Sequence, residues 1–487
     1  MRRLLAPLIF FFVLTLASCT SEKDSSADKH TPPVGFVWTQ EGVNPIEGFT
    51  GFGAEGRSVA ADLYGNVYTM GNFTQLIYFG RATLKDEGHN YRSCFITKHD
   101  PDGRLVWAKA LHGSLEGTDM TVDKVGNLYL TGSLYTQAYF ESDTIASCGN
   151  NDVFVAKLDP SGKALWARSF GSEKFDYSTG IALDGDGSCY VASVLEGEAA
   201  FSRSTVTALA PGLYITKYDA DGNAIWSKQS IRGNYYGGIL HHDIAVGRDK
   251  AIYTTGSFTD TISLGKVALH SADGYNSDVF VAKHDATGTL LWAKKIGAAG
   301  IDESMGIAVS TAGLVYVAGA VGSDGLPVDP VIDTLYFDGK TVINQGGDDA
   351  FIAQLDASGR LNWVSSIGGE DYDEAKGIAL DTAGNAYLTG FYTEKRRQQI
   401  NNRHLFVAKY DGKGKLLWEQ TLTGDRGGQE GSAIALDKGG NIFIAGSIDG
   451  TTVFGNKVIR RHKNAETIFI SKLSSAKQGH EDRVAKN

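Results

Sequence analysis

GIALDTAGNAYLTGF, Gly377–Phe391, followed by LFVAKYDGKGKLLW, Leu405–Trp418, is the stretch that decides the architecture. IALD is a short apolar strand, and AYLTGF is a second, rich in aromatic and β-favouring residues. Between them lies Asp381-Thr-Ala-Gly384-Asn385. The Asp carboxylate accepts local backbone N–H bonds, and Gly supplies the positive φ of a tight hairpin. LFVAKYD reads as a third strand, and a second Asp/Gly turn, Asp411 to Gly414, leads into a fourth, KLLWEQTL. One unit is therefore a four-stranded antiparallel meander. Its strands are apolar on both faces, so the sheet must be covered on both sides.

Working outward, the unit recurs seven times. The second-strand aromatic appears as Tyr68, Tyr129, Tyr190, Tyr253, Tyr316, Tyr387 and Phe443. Six positions earlier stand Asp62, Asp123, Asp184, Gly247, Ser310, Asp381 and Asp437, and three positions earlier stands Gly, except for Lys250 in the fourth copy. The third-strand aromatics Phe95, Phe154, Tyr214, Phe280, Phe351 and Phe406 are each followed by Trp 12 residues on: Trp107, Trp166, Trp226, Trp292, Trp363 and Trp418. The seventh, Phe469, has Glu481 there instead, and the missing Trp lies at the other end of the chain as Trp38 in VGFVWTQEG. The N-terminal strand thus completes the last sheet. The expected fold is an all-β, seven-bladed β-propeller of four-stranded blades, closed by the strand bearing Trp38.

These units resemble the seven-bladed β-propeller (SBBP) repeats of bacterial envelope and secreted proteins. DVFVAKLDPSGKALWARSFG, Asp152–Gly171, and the opening stretch carry the resemblance, which extends over roughly residues 34–473. That family shares no catalytic residues, so the resemblance transfers none. The third copy departs from the pattern at Ser193 and in its Pro211-Gly212 loop, and the fourth has GRDKAIY; both should still form blades.

Residues 1–18 read as a signal peptide, with Arg2 and Arg3 ahead of the apolar run Leu4 to Ala17. That run is short for a membrane span. LASC, Leu16–Cys19, resembles a bacterial lipobox, which implies lipidation of Cys19 and a membrane anchor. Thr20 rather than Asp follows, so by resemblance to the sorting rule of proteobacterial lipoproteins the expected address is the outer membrane. Residues 19–33 form a polar tether and 474–487 a polar tail. The other cysteines, Cys94, Cys148 and Cys189, have no metal-ligand spacing, and their odd number argues against a disulfide framework. Cys94 and Cys189 fall within strands and are expected as buried thiols.

Net charge is −10 with no basic cluster, which speaks against nucleic acid as a partner. No phosphate loop, G-x-S-x-G or Cys/His nucleophile pattern occurs, so no cofactor or catalytic residue is assigned. Asp184-Gly-Asp186 and Asp219-Ala-Asp221 coincide with hairpin turns and lack the later ligands of a calcium loop. The third-strand Lys98, Lys157, Lys217, Lys283, Lys409 and Lys472 recur too evenly to be anything but architectural.

Candidate function lies where the copies differ, in the loops between strands two and three and between blades. Asp176, Asp302 and Asp373 occupy equivalent blade connections, four before the Gly of strand one. Near a central mouth they would form an acidic rim for a cation or polyol; alternatively they satisfy turn N–H groups. Tyr235, Tyr236, His241 and His242 make a second candidate rim, although adjacent histidines point apart and suit one metal poorly. The expected function is a lipid-anchored binding or scaffold module of the cell envelope, with a protein or glycan ligand. The alternatives are a glycan hydrolase or lyase using carboxylates at the mouth, and a purely structural envelope component.

Overall fold

A computed structural model describes residues 34–475, apart from 45–52, 87–91, 142, 202–206, 209–210, 233–238, 272–275, 298–299, 323–333, 338, 345–346, 370, 394–402, 423, 425–427 and 461–466. The described residues form strands and turns without a helix. Seven four-stranded antiparallel blades make the ring. Blade 1 runs Ala54–Ala61, Val67–Phe73, Ser93–His99, Leu105–Ala110 from inside to outside, and blade 6 runs Glu374–Leu380, Ala386–Thr393, Arg403–Tyr410, Leu416–Leu422. Blade 7 takes Gln429–Leu436, Ile442–Ile448 and Thr467–Ser475 from the end of the chain and Val34–Val43 from its beginning. Closure by the Trp38 strand is thus what the structure has.

Each unit residue has an identifiable task. In the first turn, Asp62 Oδ1 accepts the backbone N–H of Tyr64 and of Asn66 at 2.9 Å, while Oδ2 accepts Asn66 Nδ2 at 2.7 Å and the Tyr68 hydroxyl at 3.3 Å. Gly65 sits at φ 79°, and in blade 4 Lys250 takes that conformation at 62°. Trp and Lys join each blade to the next. Trp107 Nε1 and Lys98 Nζ both donate to Pro160 O, at 3.2 and 3.1 Å, and Trp38 and Lys472 both donate to Pro101 O at 3.1 Å. The lysine ammonium also lies over its blade's second-strand ring, 5.0 Å from Tyr68 and 4.6 Å from Tyr387. The even recurrence of Lys is architectural.

The segment between strands two and three differs from expectation. It is largely a short hairpin, not a free loop. Leu76–Phe79 with Ala82–Lys85, and Thr261–Leu264 with Val267–His270, are two of these. Three add to the outer strand of the preceding blade, Val43 pairing with Tyr78, Phe170 with Phe201 and Arg232 with Ser263, while in blade 2 His112, which opens the first strand His112–Val122, pairs with Tyr139. The buried anchor is Phe79, Phe140, Phe201, Leu264 or Phe454. These anchors stand 11 residues after the second-strand aromatic, a repeat present in the sequence but hidden by the long insertion of blade 5. The hairpins bury aromatic surface between blades and so consume much of what looked like free binding loop.

No disulfide forms among the described cysteines. Cys94 and Cys189 are buried, and desolvation pushes both thiols well up.

Candidate functional site at the channel mouth

The inner strands surround a channel cavity of about 500 Å³. In every blade the pairing of the first two strands slips by one residue, between Gly56 and Ser58 in blade 1 and between Ala375 and Gly377 in blade 6. This bulge re-aims the residues around it toward the axis. The residue starting the motif is Glu55, Glu116, Glu303, Glu374 or Glu430 in five blades, and Tyr177 and Leu240 in the other two. These positions begin the inner strands, on the face where one blade passes to the next. The bulged residue is Arg57 in blade 1 and Lys376 in blade 6.

The mouth is therefore a ring of glutamates with basic residues set into it. Glu55 pairs with Arg57 at 2.7 Å and Arg92 at 2.6 Å; Glu430 pairs with Arg403 at 2.7 Å and Lys376 at 3.4 Å. Burial opposes the charge of Glu55, but the two guanidiniums outweigh it and hold the carboxyl below its ordinary value. Glu116 and Glu374 are raised, first by desolvation and then by neighbouring glutamates. The mouth thus combines ion-paired carboxylates and carboxylates of raised pKa with multi-donor arginines, a surface suited to polar ligands.

Below the mouth, the position ten residues before the second-strand aromatic is small in most blades: Ser58, Gly180, Gly306, Gly377, Ala433. Blades 2 and 4 carry Asp119 and Asp243 instead, and both line the cavity. Asp119 accepts from Met120 N at 2.7 Å, Ser58 Oγ at 2.9 Å and Ile181 N of the next blade at 3.0 Å. Asp243 accepts from Ile244 N at 2.7 Å and Ile307 N of the next blade at 2.9 Å. Desolvation raises both, and the charge of Asp119 helps lift Asp243 to about 7. A carboxyl with a raised folded pKa binds its proton more readily folded than unfolded, so stability rises as pH falls from about 7 toward the unfolded value. His99 and His284 act oppositely: burial lowers each to about 4, so protonation of the unfolded chain below about 6.5 favours unfolding. Asp243→Gly restores the residue of three other blades. Against the parent, it should remove about 2 kcal/mol of the stability change between pH 8 and pH 5. Urea midpoints measured across that range check this, and parallel profiles would contradict it.

The expected rim residues fall elsewhere. Asp176 and Asp373 are buried in blade junctions and do not line the channel cavity. Asp176 accepts from Ser172 N and, at 2.8 Å, from Glu196 N; Asp373 accepts from Gly369 N at 2.6 Å and Thr393 N at 2.9 Å. Both satisfy turn N–H groups, the second of the two readings above. Asp302 is buried at the equivalent junction, where Asp278 and Asp302 flank Gly297 closely enough that a Cβ there would collide with both. The acidic rim is corrected accordingly: the channel carboxylates are Asp119, Asp243 and the glutamates. Tyr235 and Tyr236 lie outside the described residues. His241 and His242 are on the inner strand Ile239–Val246, with side chains outside the described ones.

A family model described as outer membrane protein assembly factor BamB matches residues 213–481, more than half of the chain. The chain belongs to this family. The match to the BamB family fixes the repeat type; the SBBP resemblance stays an expectation. Two curated relatives are similar at low identity. An uncharacterized WD repeat-containing protein of Acanthamoeba polyphaga mimivirus is 21% identical, over 72% of this chain and 32% of its own length. The regulatory protein FlaEY of Caulobacter vibrioides is 22% identical, over 71% and 38%. This BamB-family chain thus spans about a third of the length of the curated relatives it matches. Among solved structures, virginiamycin B lyase from Staphylococcus aureus aligns with TM-score 0.43 and 10% identity, covering 90% of this chain and 99% of that one. A PL25 ulvan lyase aligns with TM-score 0.44 and 10% identity, covering 84% and 97%. Likeness at this level carries no chemistry to the present chain.

Proposed function

We propose that this BamB-family propeller is a binding or scaffold module, lipid-anchored through Cys19 in the bacterial envelope, at the outer membrane by its sorting residue, and that its channel mouth receives a protein or glycan. The observation that supports this reading is the mouth itself. Blade-building positions repeat around the ring, whereas Arg57, Arg92, Lys376 and Arg403 are placed individually against Glu55 and Glu430. Individually placed charges on a repetitive scaffold are the usual form of a grafted site. The hydrolase or lyase alternative loses the carboxylates first considered for it, since Asp176 and Asp373 are engaged by backbone N–H groups.

The test is capture from envelope extracts alongside a glycan array, with the parent and an Arg57→Ala/Arg403→Ala variant. Neither residue is in the buried core, so both proteins should fold alike. The expected result is a ligand whose retention falls at least about tenfold in the variant, as befits two charge-assisted contacts. Equal retention of every ligand would remove the mouth as the binding site.

A further inference from the structure

Seven first-to-second-strand turns crown the face opposite the glutamate mouth, and they are not alike. Their two tip residues are small or polar in blades 3 to 7: Gly185-Asp186, Arg248-Asp249, Thr311-Ala312, Thr382-Ala383 and Lys438-Gly439. In blades 1 and 2 they are Leu63-Tyr64 and Lys124-Val125. Leu63, Tyr64 and Val125 are 43%, 72% and 65% exposed. Exposed apolar side chains also stand singly on the mouth face, as Phe175, Ile301 and Tyr372, but at the turns of blades 1 and 2 three of them fall on neighbouring tips, the beginning of a patch.

Their position is informative. Val34 pairs with Ser475 and Val43 with Thr467, so the N-terminal strand starts at the turn face and ends at the mouth face. Trp38 donates to Pro101 O, and Pro101 lies 3.5 Å from where a Cβ on Gly65 would be, beside Tyr64. Val37, 57% exposed, is on the same strand. The apolar tips therefore lie on the face from which the preceding chain leaves the propeller, and the blade 1 tip adjoins the loop that Trp38 contacts.

We propose that Leu63, Tyr64 and Val125, flanked by Val37, rest on the lipid surface to which the chain is tethered, so that the glutamate mouth faces away from the membrane. This rests on the anchoring of Cys19 proposed above. Fourteen residues separate Cys19 from Val34. A coil of that length has a root-mean-square span of about 20 Å. The inner strand Gln429–Leu436, eight residues from mouth to turn, is about 25 Å long. A tether of that reach holds the turn face against the bilayer more readily than it wraps around a blade to present the mouth. Tyrosine and aliphatic tips suit the headgroup boundary. Acidic turns such as that of Asp102 make the attraction apolar rather than electrostatic, so it should survive high salt.

The experiment uses the full-length lipidated protein in phosphatidylethanolamine/phosphatidylglycerol vesicles. In a Cys148→Ser background, an environment-sensitive fluorophore is attached at Lys124→Cys on the turn face or at Glu173→Cys on the mouth face. The expected result is a blue shift and quenching by spin-labelled lipid at position 124, at least about threefold stronger than at 173. Leu63→Asp/Tyr64→Asp/Val125→Asp should abolish that difference while the protein still floats with vesicles. Equal or reversed quenching overturns the orientation. A concentration-dependent shift at 124 without vesicles shows self-association and overturns the lipid contact. Failure to float overturns the anchoring reading, and this proposal with it.

Discussion

Removal of residues 34–43 should abolish cooperative folding rather than merely weaken it. That strand makes nine residue pairings with Thr467–Ser475. Its loss uncovers a hydrogen-bonding edge and strips cover from Ile468, Phe469 and Ile470, all fully buried in the intact ring. It also removes the Thr39–Ser471 hydroxyl contact at 2.8 Å, the Phe36–Phe454 ring contact at 5.2 Å and the Trp38 link to blade 1. Losing a buried aromatic side chain costs about 3–5 kcal/mol; Phe36 and Trp38 are half-buried, but both go together with a whole strand. A typical domain holds only about 5–15 kcal/mol in total. Thermal unfolding followed by circular dichroism, with limited proteolysis, measures the effect. A permutant in which 34–43 follow Ser475 through an Asp-x-x-Gly turn, copied from Asp411–Gly414, should fold normally. Retention of the parent's transition by the truncated chain would show that the ring does not depend on its seam.

Gly390→Ala is expected to destabilise by about 3 kcal/mol, the upper end of the cost of overpacking. A Cβ on Gly390 would lie 1.8 Å from Glu374 O, and the matching positions Gly71, Gly132, Gly319 and Gly446 meet the carbonyls of Glu55, Glu116, Glu303 and Glu430 at 1.9–2.0 Å. The obstacle is backbone, held in place by the bulge, so the inner strand must move as a whole. Because the displaced carbonyl belongs to a mouth glutamate, the substitution should also disturb the mouth. Gly185→Ala is the control, since nothing lies within 4 Å of its would-be Cβ. Denaturant midpoints of the two variants should differ clearly; similar midpoints would mean that the bulge yields at little cost.

These expectations also mark what could be read beforehand. Blade number, strand order and the closing role of Trp38 were legible because Asp, Gly, Tyr, Lys and Trp each perform a repeated local task, and repetition survives substitution at single copies. The mouth was harder. Asp176, Asp302 and Asp373 were more conspicuous than the glutamates, two of which, Glu303 and Glu374, stand one residue further along, yet in an extended strand neighbouring side chains point to opposite sides. One step in sequence separates a residue facing the adjacent blade from one facing the channel. The motif that carries the ring was present, in EGRS, EGTD, ESMG, EAKG and EGSA, Glu55, Glu116, Glu303, Glu374 and Glu430 onward. What hid it was the bulge, which changes the facing of residues and leaves no mark on periodicity. Asp119 and Asp243 were concealed similarly: each replaces a small residue in one copy, and only the register shows that those positions meet around the axis.

The seam has a mechanical meaning as well. Were traction applied at Val34 along its strand, the nine pairings with Thr467–Ser475 would resist together in shear, instead of opening one after another as in a peeled zipper. Force arriving through the amino end would pass at once into two blades, because Trp38 and Lys472 meet at the same carbonyl of Pro101. A chain moored at that end would pull its ring tighter at the join.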